Sequence, residues 1–147
     1  MTNFAITNAR VFDGSEFHTG KAVIIRNGKV DAIVNSRNIP SDIAGFDAQN
    51  QILAPGLIDV QVNGGGGVLL NDEPNVDGVR AIMAAHRKFG TTAMLPTLIT
   101  DHREKMDLAI AAVTDAIHQE VPGIVGIHLE GPYLNAERKG VHDPNII

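Results

Sequence analysis

From residue 52 onward the chain alternates apolar, β-branched runs with amphipathic helical segments, and that alternation leaves few folds open. ILAPGLIDVQV, residues 52 to 62, reads as a buried strand. The segment at 76 to 89 places Val76, Val79, Ile82, Met83 and Phe89 on one helical face. TTAMLPTLIT, residues 91 to 100, has the continuous apolar character of a strand buried on both sides. A second helix is expected to open at Asp101, with Glu104 as its capping-box partner and Met106, Ile110, Val113 and Ile117 facing the core. IVGIHLEGP, residues 124 to 132, completes the series as a third strand. Such βαβαβ order requires parallel strands with covering helices, in a doubly wound sheet or a (β/α)8 barrel.

The first fifty residues follow different rules. In AVIIRNGKVDAIV, residues 22 to 34, two β-branched runs flank Asn27-Gly28, a dipeptide suited to a type I′ hairpin turn. FAITNARVFDG supplies another short strand closed by Asp13-Gly14, and residues 38 to 50 hold enough breakers to read as a linker or irregular edge. A small β-sandwich portion over 1–50 is expected to precede an α/β portion over 51–147.

Composition narrows the chemistry. The chain has no cysteine, so a metal would have to sit on carboxylates and the six His. A formal net charge of -5, with no Lys/Arg run, argues against a nucleic-acid partner. No apolar run approaches the roughly 18 residues of a spanning helix and the amino terminus lacks a signal-peptide pattern, so no membrane partner and a cytoplasmic location are expected.

In either α/β architecture the carboxyl ends of the strands build the site. The first end offers Asp59, Gln61, Asn63 and Gly64 to Gly67; the second Pro96, Thr97 and Thr100; the third His128, Glu130, Gly131 and Pro132. Glu130 is the sharpest candidate, because a carboxylate ending an apolar strand is costly to bury unless a cation or hydrogen-bond donors meet it. A metal would serve, and so would a structural ion pair or solvent. The four glycines either bring the backbone close to a ligand or merely turn it. Asp59 reads as structural, and Met83, Met94 and Met106 as core. His128 shares Glu130's side of its strand, which suits either support for Glu130 or a core histidine. His86, His102 and His118 are expected on helix surfaces.

APGLIDVQVNGGGG, GTTAMLPTLIT and GIHLEGPYLNAERKGVHDP together resemble the N-acetylglucosamine-6-phosphate deacetylases of the amidohydrolase superfamily. The PG-[LF]-ID segment marks only the superfamily, whereas HLEGP followed by KG-x-H-x-P is specific to the deacetylases. The resemblance implies that the α/β portion begins a (β/α)8 barrel, incomplete over this length, since about 250 residues build one. It also implies metal-dependent hydrolysis of the acetamide of N-acetylglucosamine 6-phosphate to glucosamine 6-phosphate and acetate.

Most amidohydrolases carry His-x-His at the end of the first barrel strand; Gln61-Val62-Asn63 stands there in this chain. Amides are poor ligands for zinc-like ions. The resemblance therefore implies one divalent ion, zinc by first choice with iron, manganese and cobalt left open, and Glu130 as a direct ligand. Gln61 would hydrogen-bond to water or the substrate amide, and His142 with the backbone of Val141 would contact the sugar. Arg138 and Lys139 either attract the phosphate or face solvent. The general-base Asp and two ligand histidines are expected beyond Ile147, which would leave the 147 residues inactive alone, and a homodimer is implied for the full-length enzyme. Two rivals remain: an amidohydrolase acting on another acylated amine or cyclic amide, and a non-catalytic sugar-phosphate-binding remnant.

Overall fold

The computed structural model describes residues 3–131 and 133–147, which fall into two compact units, Met1–Pro55 and Gly56–Ile147. Pro132, one of the strand-end candidates, lies outside the described residues.

The first unit is built from seven strands: β1 (Phe4–Thr7), β2 (Arg10–Phe12), β3 (Phe17–His18), β4 (Lys21–Arg26), β5 (Lys29–Asn35), β6 (Ala44–Asp47) and β7 (Ile52–Leu53). They form one sheet in the order β5-β4-β1-β6 and a second in the order β3-β2-β7. Strand alternation sorts the apolar side chains of the larger sheet to both faces. Ala5 and Ile24 meet Ile39 and Ile43 on one side, while Ile6, Val23 and Ile25 pack with Val11 and Leu53 of the smaller sheet on the other. Because both faces are covered, β4 is apolar without interruption from Ala22 to Ile25. Asn27 and Gly28 take φ of 53° and 76° and join β4 to β5 with Arg26 opposite Lys29, the turn expected from the sequence.

Two readings of this region need correction. FAITNARVF is two strands, since Asn8 at φ 53° breaks it and sends the halves into different sheets. Residues 38 to 50 contain a true strand, β6, which pairs in parallel with β1 as the edge of the larger sheet.

The second unit holds β8 (Leu57–Val62), α1 (Val76–Arg87), β9 (Thr91–Ile99), α2 (Arg103–His118) and β10 (His128–Glu130). The strands form a parallel sheet in the order β10-β9-β8, and Val79, Ile82 and Met83 of α1 share one core with Met94 and Leu98 of β9 and Ala109, Val113 and Ala116 of α2. Asn75 caps α1 by accepting from the Gly78 N–H at 2.9 Å. Pro96 has no N–H to give the ladder, and the register slips beside it. The Thr97 hydroxyl repairs the gap: it accepts from the Val62 N–H at 2.8 Å and donates to the Leu95 carbonyl at 3.3 Å. Among the described residues no helix is long and apolar enough to cross a membrane.

Several expectations fail here for physical reasons. The apolar run from 52 to 62 is not one strand, because Ala54-Pro55-Gly56 interrupts it and β7 belongs to the first unit. Nor is β8 buried: it is the edge of its sheet, leaving Leu57, Ile58 and Val60 exposed. Phe89 falls beyond the end of α1 and is 83% exposed. The α2 core face is a stripe of small residues, Ala109, Ala112, Val113 and Ala116, which lets the helix approach closely and turns Ile110 and Ile117 outward. Its N-cap is His102 without a side-chain bond, so the Asp101–Glu104 capping box does not form.

Asp101 is engaged elsewhere. Asn71 grips the end of β9, donating to the Ile99 carbonyl at 2.9 Å and accepting from the Ile99 N–H at 3.1 Å, and its amide also donates to Asp101 Oδ2 at 2.9 Å. Burial alone would raise the Asp101 pKa, but the bonds from Asn71 and the His102 N–H, with Lys105 nearby, together hold it below the ordinary value. Asn71→Ala is expected to cost about 2 to 4 kcal/mol at neutral pH, three bonds being lost at once. A group with a depressed folded pKa stabilises above its unfolded value and loses that contribution as pH falls through the folded one. Part of the Asn71→Ala deficit should therefore disappear below about pH 4, which urea midpoints measured at neutral and acid pH will show.

Candidate active site

Four side chains meet at the carboxyl ends of the three parallel strands. Asn63, just past β8, donates from Nδ2 to Glu130 Oε2 at 3.1 Å. Glu130 ends β10, with its side chain 28% exposed. His142 arrives from the loop after β10 with its side chain only 11% exposed, its Nε2 3.8 Å from Glu130 Oε1. Thr100, following β9, places Oγ1 2.7 Å from His142 Nδ1 and 3.5 Å from the Glu130 backbone carbonyl. Parallel pairing produces the convergence: Glu130 sits opposite Ile99 in the ladder, which brings Thr100 beside it.

Gly131, at φ 101°, occupies a conformation that L side chains rarely adopt, and a Cβ there would collide with Thr100 Oγ1 and lie 2.8 Å from His142 Nδ1. The glycine is what allows the loop to leave the strand and the two polar side chains to meet. The loop returns through a 3-10 turn at Ala136–Arg138; the His142 N–H donates to the Lys139 carbonyl at 3.1 Å, and Lys139 Nζ donates to the His142 carbonyl at 3.4 Å. Lys139 thus braces this loop, whereas Arg138 is exposed.

The glycine run does more than turn. Gly65 and Val68 exchange backbone bonds at 2.9 and 3.1 Å around Gly66-Gly67, and Gly65 and Gly66 lie against Ala81, Ala85 and His86 of α1. His86 Nε2 donates to the Gly64 carbonyl at 2.9 Å, and a Cβ on Gly65 would sit 2.8 Å from that nitrogen. The expectation of a surface His86 is therefore wrong: the ring is half-buried and anchors the loop that carries Asn63. Asp59 has a local structural role, accepting from the Gln61 N–H at 3.1 Å. Gln61 is exposed on β8, Val141 is 97% exposed, and His128 is half-buried opposite Thr97. His102 and His118 are exposed, as expected.

Two contributors, Asn71 and His86, escaped the sequence, and a third, Thr100, was legible without its partner. Thr100 was visible as a strand-end hydroxyl but had no partner; Asn71 stands in an irregular segment with no periodicity; His86 sits where helical spacing alone suggests solvent.

Glu130 pairs with no Lys or Arg among the described residues and faces the His142 imidazole at 3.8 Å. Its chemistry suits a cation: a half-buried carboxylate with one oxygen held by a neutral amide and the other facing only an imidazole. A separate cluster, Asp13, Glu16 and His18, is the group of carboxylates and imidazole close enough to share an ion among the described residues. It is an exposed turn of the first unit. His18 bonds Asp13 Oδ2 at 2.6 Å, and with the Glu16 and Ser15 N–H groups this pushes the Asp13 carboxyl far below its usual range.

Known proteins match both units. Residues 3–53 fit the model of the NagA composite domain, and residues 52–146 fit that of the amidohydrolase family. The chain belongs to the amidohydrolase family. It is 55% identical over 92 residues to the N-acetylgalactosamine-6-phosphate deacetylase of Shewanella sp. (strain ANA-3), covering 63% of this chain and 23% of that protein. It is 33% identical over 144 residues to the N-acetylglucosamine-6-phosphate deacetylase of Haemophilus influenzae, covering 98% of this chain and 38% of that protein. The crystal structure of N-acetylglucosamine-6-phosphate deacetylase from Pasteurella multocida superposes with a TM-score of 0.93 at 34% identity, over 98% of this chain and 38% of that one. The 147 residues thus span less than two fifths of the length of these relatives.

Proposed function

We propose that the chain belongs to a metal-dependent deacetylase that hydrolyses the acetamide of an N-acetylhexosamine 6-phosphate, with N-acetylglucosamine 6-phosphate as first candidate, releasing acetate and the amino sugar phosphate. The observation that carries this reading is the meeting of Asn63, Glu130 and His142 at three parallel strand ends. We read the second unit as the first three β/α units of a (β/α)8 barrel; its sequential strand order and the exposed apolar side chains of β8 suit a sheet that continues.

In this reading Glu130 holds one divalent ion, which when bound polarises the amide carbonyl and activates water. Asn63 is already committed as a donor to Glu130, so the strand end that supplies imidazoles in related enzymes orients a ligand here and holds no second cation. Gln61, exposed at the same strand end, is free to donate to the substrate amide or the attacking water. His142 and the Val141 backbone hold the sugar. A catalytic ion takes about three protein ligands, and the others, with the general base that carries the proton to the leaving amine, are proposed to lie outside these 147 residues.

The Shewanella relative supports a second substrate, N-acetylgalactosamine 6-phosphate, which differs only in configuration at C4. Acetate release from both sugars by the full-length protein, stripped with chelator and reloaded with zinc, iron, manganese or cobalt in turn, tests the proposal. Metal-dependent release and about one tightly held ion per subunit are expected. Two tightly held ions would refute the single-metal site, and no release from either sugar would refute the substrate class.

A further inference from the structure

We infer that Thr100 is a positioning residue for His142: its hydroxyl donates to Nδ1, holding the imidazole as the Nε2–H tautomer with that N–H turned toward the Glu130 carboxylate and the site. The inference rests on the reading of His142 as a substrate-holding group.

A threonine hydroxyl has one proton to give, and two acceptors stand near this one. His142 Nδ1 is 2.7 Å away and the Glu130 carbonyl 3.5 Å, at the limit of a useful bond. Were the proton given to the carbonyl, His142 would have to donate from Nδ1, leaving a bare Nε2 lone pair facing the Glu130 carboxylate at 3.8 Å. Lone pair would oppose anion. Given to Nδ1, the proton makes the shorter bond and leaves an N–H facing the carboxylate. Both preferences select the same tautomer.

The surroundings leave Thr100 as the group that sets the ring. The His142 backbone is tied to Lys139 through both its N–H and its carbonyl, so the remaining freedom is rotation of the side chain. Gly131 keeps the space between Oγ1 and the imidazole clear. The chemical consequence is a division of labour: a protonated Nε2 has no lone pair for a cation, so His142 is kept from competing with Glu130 for metal. It offers instead a donor to a carbonyl or hydroxyl oxygen of the sugar.

Thr100→Val, which keeps the shape and loses the hydroxyl, and Thr100→Ser, which keeps the hydroxyl, provide the test. Long-range 1H–15N spectra of the full-length protein, labelled on histidine nitrogen and metal-free, are recorded well above the ordinary histidine titration range, with the His142 signals assigned through His142→Gln. The unaltered protein and Thr100→Ser should show the Nε2–H form with Nδ1 shifted by an accepted hydrogen bond. In Thr100→Val that shift should be lost. The metal-loaded enzyme should lose about tenfold in kcat/KM in Thr100→Val, with unchanged metal content and recovery in Thr100→Ser. An Nδ1–H form in the unaltered protein, or an Nδ1 shift that Thr100→Val leaves in place, overturns the inference. Because the spectrum needs no substrate, an enzyme inactive on both sugars would count against the proposed function alone.

Discussion

Glu130→Gln should reduce retained metal by more than about 100-fold in affinity and abolish measurable turnover with it, because an anionic ligand is lost while its shape remains. The structure makes this a clean substitution. Gln keeps an oxygen to accept from Asn63, and the carboxylate has no Lys or Arg partner, among the described residues, to be stranded by its removal. In the metal-free protein the change in stability should stay within about 0.5 kcal/mol, as for other partly exposed sites whose hydrogen bond is kept. Metal analysis after dialysis, set beside urea midpoints of the metal-free forms, separates the two effects. Full metal occupancy in the variant would mean that Glu130 is not a ligand; an equally large loss of stability without metal would mean that it is a structural group.

The legibility of this site in the sequence follows from the range of the interactions that build it. Asn27-Gly28 acts over a few residues, and both helices of the second unit appear close to where helical spacing puts them. Glu130 stands out because a carboxylate closing an apolar strand is costly whatever the surroundings. What could not be read depends on partners distant in sequence: Thr100 meets His142 across 42 positions, Asn63 meets Glu130 across 67, and His86 reaches Gly64 across 22. Burial of β8 failed for a related reason. The composition of a strand reports the faces it is built to cover, and Ile58 and Val60 are apolar at an edge where the described chain covers neither. On α2, Ile110 and Ile117 have the larger side chains, yet the alanines face the core because close approach of helix to sheet favours small volume there.

Gly131→Ala is the second substitution expected to act strongly, and it does so without touching a ligand atom. Two costs combine. An L side chain at φ 101° is strained by about 1 to 3 kcal/mol, and the added methyl must displace Thr100 Oγ1 and the His142 ring, a further 1 to 3 kcal/mol of the kind found for overpacked sites. Stability should fall by about 2 to 6 kcal/mol in all. Turnover should fall by about 100-fold in whatever folded protein remains, since a displacement of about 1 Å in a substrate-holding group has that effect. Metal retention should change far less, because Glu130 precedes the strained residue and keeps its bond from Asn63. The double variant Gly131→Ala with Thr100→Ala probes the two costs: truncating Thr100 removes the nearest atom the methyl would strike but relieves neither the backbone nor the His142 contact. The pair should therefore recover about half of the stability lost by Gly131→Ala and none of the turnover, a non-additivity confined to residues in contact. Strict additivity would place the whole cost in the backbone and the His142 contact. Full stability and turnover in Gly131→Ala would show that neither the left-handed turn nor the cleared space beside His142 matters to this site.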